Sequence, residues 1–140
     1  MADKVAILVK KASLEFDKLS NPLLAEYDLT VAQYKVLKYL FMHQGEVVRL
    51  VDLEKYYSMT HPTTIGLLDT LEAKGYVTRA ENPEDRRSKV ISLTDKALGQ
   101  QEVLLNLGDM LEARLTERLT EKERKTLIAL LQKLMGLEGD

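Results

Sequence analysis

The chain has 140 residues, no cysteine, 20 basic and 22 acidic side chains and a formal net charge of −2. That length fits one domain with a core of its own, and the lack of cysteine excludes disulfides, thiol nucleophiles and thiol redox sensing, in keeping with a reducing compartment. The N-terminal apolar run stops at Val9 and is broken by charge, too short for a signal peptide or a spanning helix, so a soluble cytoplasmic protein without membrane contact is expected.

With 7 Gly and 3 Pro, loops should be short and helices dominant. Val5, Leu8, Ala12, Phe16 and Leu19 follow helical spacing, and Asn21-Pro22 is expected to end that first helix. Thr30 with Gln33 reads as a capping box opening a second helix, whose apolar face is Val31, Tyr34, Leu37, Leu40 and Phe41 and which Gly45 closes. A short helix from Leu50 to Tyr57 follows. Thr60 opens the next, with Pro62 tolerated in the first turn; Ile65, Leu67, Leu68 and Leu71 form its buried stripe and Lys74-Gly75 its stop.

Tyr76 to Ala80 and Lys89 to Leu93 have the length and alternation of strands, joined by a polar loop over residues 81–88. Thr94-Asp95 caps a helical region to about Arg118, and a further run extends from Thr120 to Leu137. Three compact helices followed by a hairpin make a winged helix. The fold class is therefore mainly α with a small β-hairpin wing, helical arms standing at both ends. The lobe spans 29–94, and 1–22 and 95–140 are dimerisation helices within a single domain, 1–140.

The apolar positions support that role. Leu98, Leu104, Leu107, Leu111 and Leu115, then Leu127, Leu130, Leu131, Leu134 and Leu137, exceed what a small winged helix can cover. Leu8 and Phe16 add a stripe on the first helix. A two-fold homodimer would bury the excess. The alternative is a monomer whose arms fold back on the core.

Four segments carry a resemblance: Leu-Thr-Val-Ala-Gln-Tyr-Lys-Val-Leu at 29–37, Asp-Leu at 52–53, Leu-Asp-Thr-Leu-Glu-Ala-Lys-Gly-Tyr-Val-Thr-Arg at 68–79, and Asn-Pro-Glu-Asp-Arg-Arg-Ser-Lys-Val-Ile-Ser-Leu-Thr at 82–94. In order and spacing the chain resembles the MarR family of bacterial winged helix-turn-helix transcriptional regulators. The resemblance implies a dimeric regulator of duplex DNA, with the flanking helices forming the dimer and the wing entering the minor groove. It implies a pseudo-palindromic operator and a repressor relieved by a small effector, often an aromatic anion.

In a helix-turn-helix the first turn of the second helix faces bases and phosphates. Thr60, His61, Pro62, Thr63 and Thr64 occupy that turn here and are the candidate major-groove contacts. Where many family members carry Thr-Arg, this helix has Ile65-Gly66, which removes the long side chain from the groove-facing surface at that place. Gly66 serves either a close approach to DNA or close helix packing. In the wing, Arg86, Arg87 and Lys89 gather three cations. Asp85 can brace one arginine through a fork-shaped pair while the other reaches a narrow minor groove.

For an effector, Phe16, Tyr34, Lys38, Met42 and His43 offer aromatic, sulfur and polar groups near the junction of lobe and arms. Phe16, Tyr34 and Met42 equally suit an ordinary core. An enzyme is not expected: no phosphate-cradling loop or nucleophile elbow is present. His43 and His61 are the only histidines, so no cofactor or metal is expected, although His43 with nearby carboxylates could seed a metal site. Charge gives no support to DNA binding. Residues 1–59, 60–94 and 95–140 hold 8, 5 and 7 basic against 8, 5 and 9 acidic side chains. A winged-helix protein-interaction module therefore stands as the alternative.

Overall fold

Leucines and valines at helical spacing in the middle of the chain converge on one core. In the computed structural model, which describes residues 4–137 and leaves the side chains of Arg86 and Arg87 undescribed, the order begins with α1 (Val5–Leu24), a 3₁₀ turn (Ala25–Tyr27) and α2 (Val31–Met42). It continues with β1 (Val48–Arg49), α3 (Leu50–Tyr57), α4 (His61–Ala73), β2 (Val77–Asn82) and β3 (Asp85–Leu93), then α5 (Asp95–Gly99), α6 (Gln101–Leu115) and α7 (Glu121–Leu134). The polypeptide divides into two compact units after Asn106, within α6.

In the first unit Val36, Leu37, Leu53, Leu68, Leu71, Tyr76 and Val77 are at most 1% exposed. The capping box on α2 forms as expected: Gln33 N–H donates to Thr30 Oγ1 (3.2 Å) and Thr30 N–H donates to Gln33 Oε1 (3.0 Å). Gln33 also reaches outward from its own helix. Its Nε2 donates to Thr70 Oγ1 (3.0 Å), and Lys74 Nζ donates to Gln33 Oε1 (3.0 Å) and Asp28 O (2.6 Å). These bonds fasten the C-terminal half of α4 to the start of α2. The Tyr76 hydroxyl donates to Tyr27 O (2.6 Å), tying the entry to β2 to the 3₁₀ turn.

Four boundaries differ from the sequence reading. First, α1 continues through Pro22 to Leu24. A proline in the last turn forfeits one bond and does not disturb the helix beyond it, and Asn21 stays useful, accepting Val31 N–H at Oδ1 (3.1 Å). Second, the hairpin is longer and its turn tighter than a loop over 81–88. Asn82 pairs with Asp85, and only Pro83 and Glu84 lie between the strands. Asn82 Oδ1 accepts Glu84 N–H (3.0 Å), which closes the turn.

Third, β1 was not foreseen. Its two residues, Val48 and Arg49, pair antiparallel with Ile91 and Val90, so the sheet order is β1-β3-β2. Fourth, the helical region after Thr94 breaks at Gln100 into α5 and α6. Thr94 still caps it, accepting Ala97 N–H at Oγ1 (3.3 Å).

The second unit holds the end of α6 and α7, which Thr120 and Glu123 cap reciprocally (2.9 and 3.1 Å). Leu111 is buried, but Leu127, Leu130, Leu131, Leu134 and Met135 are 38–62% exposed. In the first unit, Val5, Ile7, Leu8, Val9 and Leu14 of α1 are likewise exposed. Single exposed leucines are ordinary; helices that show apolar side chains along their length are not.

The packing generates a stability ordering. Leu71→Ala should lower the unfolding free energy by about 2–5 kcal/mol, because it leaves a cavity where the side chain is fully enclosed. Tyr76→Phe removes only the hydroxyl's contacts with Tyr27 O (2.6 Å) and Gln100 Oε1 (2.9 Å) and should cost about 1–2 kcal/mol. Denaturant titrations at matched protein concentration check both; a Leu71→Ala variant as stable as wild type would contradict the packing described.

Candidate nucleic-acid interface

The helix-turn-helix is built by α3 and α4. Ser58 takes the left-handed conformation (φ 54°, ψ 44°) at the end of α3, and Met59 N–H donates to Glu54 O (2.9 Å). The chain thus reverses within three residues. Thr60 is extended, and its Oγ1 accepts Thr63 N–H (3.3 Å) as the cap of α4. Thr60, His61, Pro62 and Thr63 are exposed together on this first turn.

Thr64 does not belong with them. It is fully buried, and its hydroxyl donates to Thr60 O (2.9 Å). Helical spacing explains the correction: Thr64, Leu68 and Leu71 fall on one face, and that face is the core-facing one. His61 has a partner the sequence did not reveal. Its Nδ1 lies 2.8 Å from Glu54 Oε1, while the ring stays 65% exposed.

Gly66 is exposed, and a Cβ built on it would meet nothing within 4 Å. Close helix packing is therefore not its reason. Its position follows Pro62 and Thr63 by four and three residues, so the three share one exposed face of α4. That face carries no long side chain over two turns.

In the wing, Glu81 and Lys89 are direct cross-strand partners, with Lys89 Nζ 3.9 Å from Glu81 Oε1 and both exposed. Asp85 begins β3 opposite Asn82. The backbones of Arg86 and Arg87 follow in β3, and their side chains lie outside the described residues, as does any brace from Asp85 to either.

Arg79, at the base of the wing, has a structural role that the sequence reading missed. Its guanidinium reaches Asp69 Oδ1 (2.7 Å) and both carboxylate oxygens of Glu72 (3.2 and 3.3 Å), locking β2 onto α4. The hydrogen bond from Arg79 holds the Glu72 carboxyl below the usual carboxylate range, and the same bond raises Arg79 further. The available signal was charge alternation: Asp69, Glu72 and Arg79 stand three and seven residues apart.

The five effector candidates differ in their surroundings. Tyr34 is 7% exposed and its hydroxyl donates to Leu104 O (3.1 Å), which makes it a core residue joining α2 to α6. Met42 is 66% exposed to solvent. Phe16 and Lys38 are half-buried. His43 stacks on Tyr39 (4.1 Å between centroids), with Nδ1 2.6 Å from Glu46 Oε2, and lines an open cavity of about 240 Å³ with Leu40, Val48, Ile91 and Leu98.

Tyr39 also meets Tyr56 and Tyr57 (5.1 and 6.4 Å) in an aromatic cluster between α2 and α3 that the sequence reading did not single out. Burial pushes the Tyr57 hydroxyl well above the ordinary phenol value, and that hydroxyl donates to Lys35 O (2.6 Å). Among the described residues, no group of three or more His, Cys, Asp or Glu is placed to hold a metal ion, and no helix is long and apolar enough to cross a membrane.

Known proteins resemble the chain along most of its length. A family model described as the MarR family matches residues 27–88. The multiple antibiotic resistance protein MarR of Escherichia coli (strain K12) is 33% identical over 129 residues, covering 91% of this chain and 88% of that protein. Among solved structures, an S. aureus MepR–DNA complex matches with a TM-score of 0.87 at 29% identity, covering 96% of this chain and 98% of that one. A mutant E. coli MarR complexed with operator DNA gives a TM-score of 0.82 at 33% identity, covering 93% and 92%. Identity at this level over nine-tenths of the chain, on a matching winged-helix fold, shows that the chain belongs to the MarR family.

Proposed function

We propose that the chain is a sequence-specific regulator of transcription that binds duplex DNA as a homodimer and releases it on binding a small molecule. The observation that carries the reading is the exposed, capped first turn of α4, Thr60 to Thr63, beside a hairpin whose tip segment holds Arg86 and Arg87. Relatives of the same fold were crystallised with DNA, one with its operator. The first turn offers hydroxyls and an imidazole to the major groove, with backbone N–H groups favouring phosphate. The wing arginines supply charge to the minor groove.

Placement makes up for the absence of a net positive charge. Lys89 and Arg79 are each beside a carboxylate, so the wing arginines carry much of the attraction to phosphate in this reading. Two-fold symmetry would set two α4 helices about 34 Å apart, in successive major grooves of a pseudo-palindrome. The exposed apolar side chains of α1 and α7 are the surface for that pairing. Action as a repressor and release by an aromatic acid extend the reading. The cavity at His43, against β1, β3 and α5, is the place in this protomer where such a ligand would meet the root of the wing.

Four outcomes are expected. Sedimentation at micromolar concentration should give twice the 15.9 kDa chain mass; a monomer would remove the dimer. Replacing Arg86 and Arg87 together by Ala should weaken binding to all duplexes and flatten the dependence of log affinity on log salt by about 1–2. Thr63→Ala should instead alter preference among sequences more than overall affinity, and unchanged binding by the arginine double variant would refute the wing assignment. Titration with salicylate-like acids should lower DNA affinity; a tenfold loss corresponds to about 1.4 kcal/mol of differential binding. Saturated ligand binding with no change in DNA affinity would reject the coupling.

A further inference from the structure

His61 and Glu54 form a pair whose chemistry assigns a direction to the imidazole. Glu54 sits in the last two turns of α3 with its side chain 20% exposed, whereas His61, the first residue of α4, is 65% exposed. Glu54 closes the turn through its backbone carbonyl, which accepts Met59 N–H, and its carboxylate meets His61 Nδ1 at 2.8 Å. One residue thus fixes both the reversal of the chain and the ring that follows it.

An ionised carboxylate can only accept hydrogen bonds. The proton between the two groups therefore belongs to Nδ1, which donates to Glu54. In the neutral ring that leaves Nε2 as an acceptor, and Nε2 makes no hydrogen bond among the described residues. Thr63 beside it accepts Thr60 Oγ1–H at its hydroxyl (3.0 Å), which leaves its own O–H to donate, so the ring nitrogen and this hydroxyl differ in what they can recognise.

We propose that Glu54 is a positioning residue for base recognition, holding His61 so that Nε2 accepts a hydrogen bond from an exocyclic amino group in the major groove. Only adenine N6 and cytosine N4 present such donors there; guanine and thymine show acceptors at the corresponding edge. The proposal rests on the DNA-binding reading above, and adds to it the class of base that His61 selects and the residue that makes it selective.

The test is enrichment of a randomised duplex DNA library by the purified full-length protein at pH 8, followed by sequencing. Wild type, His61→Ala, Glu54→Ala, Glu54→Gln and the Glu54→Ala/His61→Ala double variant are compared, with thermal melting to show that each is folded. Wild type should enrich a motif with one position in each half-site whose base preference depends on His61. His61→Ala should lose that preference by about three- to tenfold while keeping the rest of the motif. Glu54→Ala should lose it too, by a similar factor. Glu54→Gln, whose Oε1 still accepts from Nδ1–H, should keep it. The double variant should be no less selective than His61→Ala alone. Full preference in Glu54→Ala would overturn the proposal, as would unchanged wild-type affinity for a duplex in which the amino group at that position is removed, with purine for adenine or pyrimidin-2-one for cytosine. A wild-type protein that enriches no motif would overturn the DNA-binding reading itself, whereas a normal motif unaffected by His61→Ala would overturn this inference alone.

Discussion

The outward face of α4 is fixed by what its inward face buries. Thr64, Leu68 and Leu71 are completely enclosed, and their spacing leaves the helix no other rotation about its axis. Thr63 and Gly66 must then face solvent, as must Pro62. Rotation is half of the problem; the helix must also be held along its length. Gln33, Thr70 and Lys74 do this at its C-terminal half, and the His61–Glu54 pair does it at the other end. A reading head needs this rigidity, because an error of an ångström at a base edge breaks hydrogen bonds.

The second constraint is electrostatic. A chain with net charge −2 could hardly approach DNA if its anions were concentrated at the contact surface. Around the lobe they lie beside cations instead: Asp52 near Arg49, Asp28 near Lys74, Asp69 and Glu72 around Arg79, Glu81 near Lys89. Exposed pairs of this kind contribute little to stability. Their larger effect is on the surface potential, since each masks an acidic group of the lobe. Arg79 does more, because its three contacts set the angle at which β2 leaves α4.

The elements that sequence made legible were those with local signatures. Thr30, Thr60, Thr94 and Thr120 each announced a helix start and each caps one. What was not legible depended on distant partners. Two residues cannot signal β1; Val48 and Arg49 become a strand because β3 lies beside them. Pro22 misled because its effect depends on how close the helix already is to its end. In the candidate site, position in the first turn of α4 was readable, but burial was not, and Thr64 was grouped with residues from which one helical step separates it. Tyr34 looked like a ligand-lining residue on composition alone; its hydroxyl bond to Leu104, 70 residues away, makes it core. The His61–Glu54 pair depended on the geometry of the turn between two helices.

The open space at Gly66 bears on how such a protein diversifies. A glycine codon becomes an arginine codon by a single base change. At Thr64, Leu68 or Leu71 of the same helix a new long side chain would collide with the core and be removed by selection on folding. At Gly66 its Cβ would meet nothing within 4 Å, and helix propensity would improve by several tenths of a kcal/mol or more. A duplicated copy of this gene could therefore change its operator in one step, with no loss of folded protein to repair afterwards. The unfilled surface of the helix is, in that sense, a standing point of divergence between paralogues.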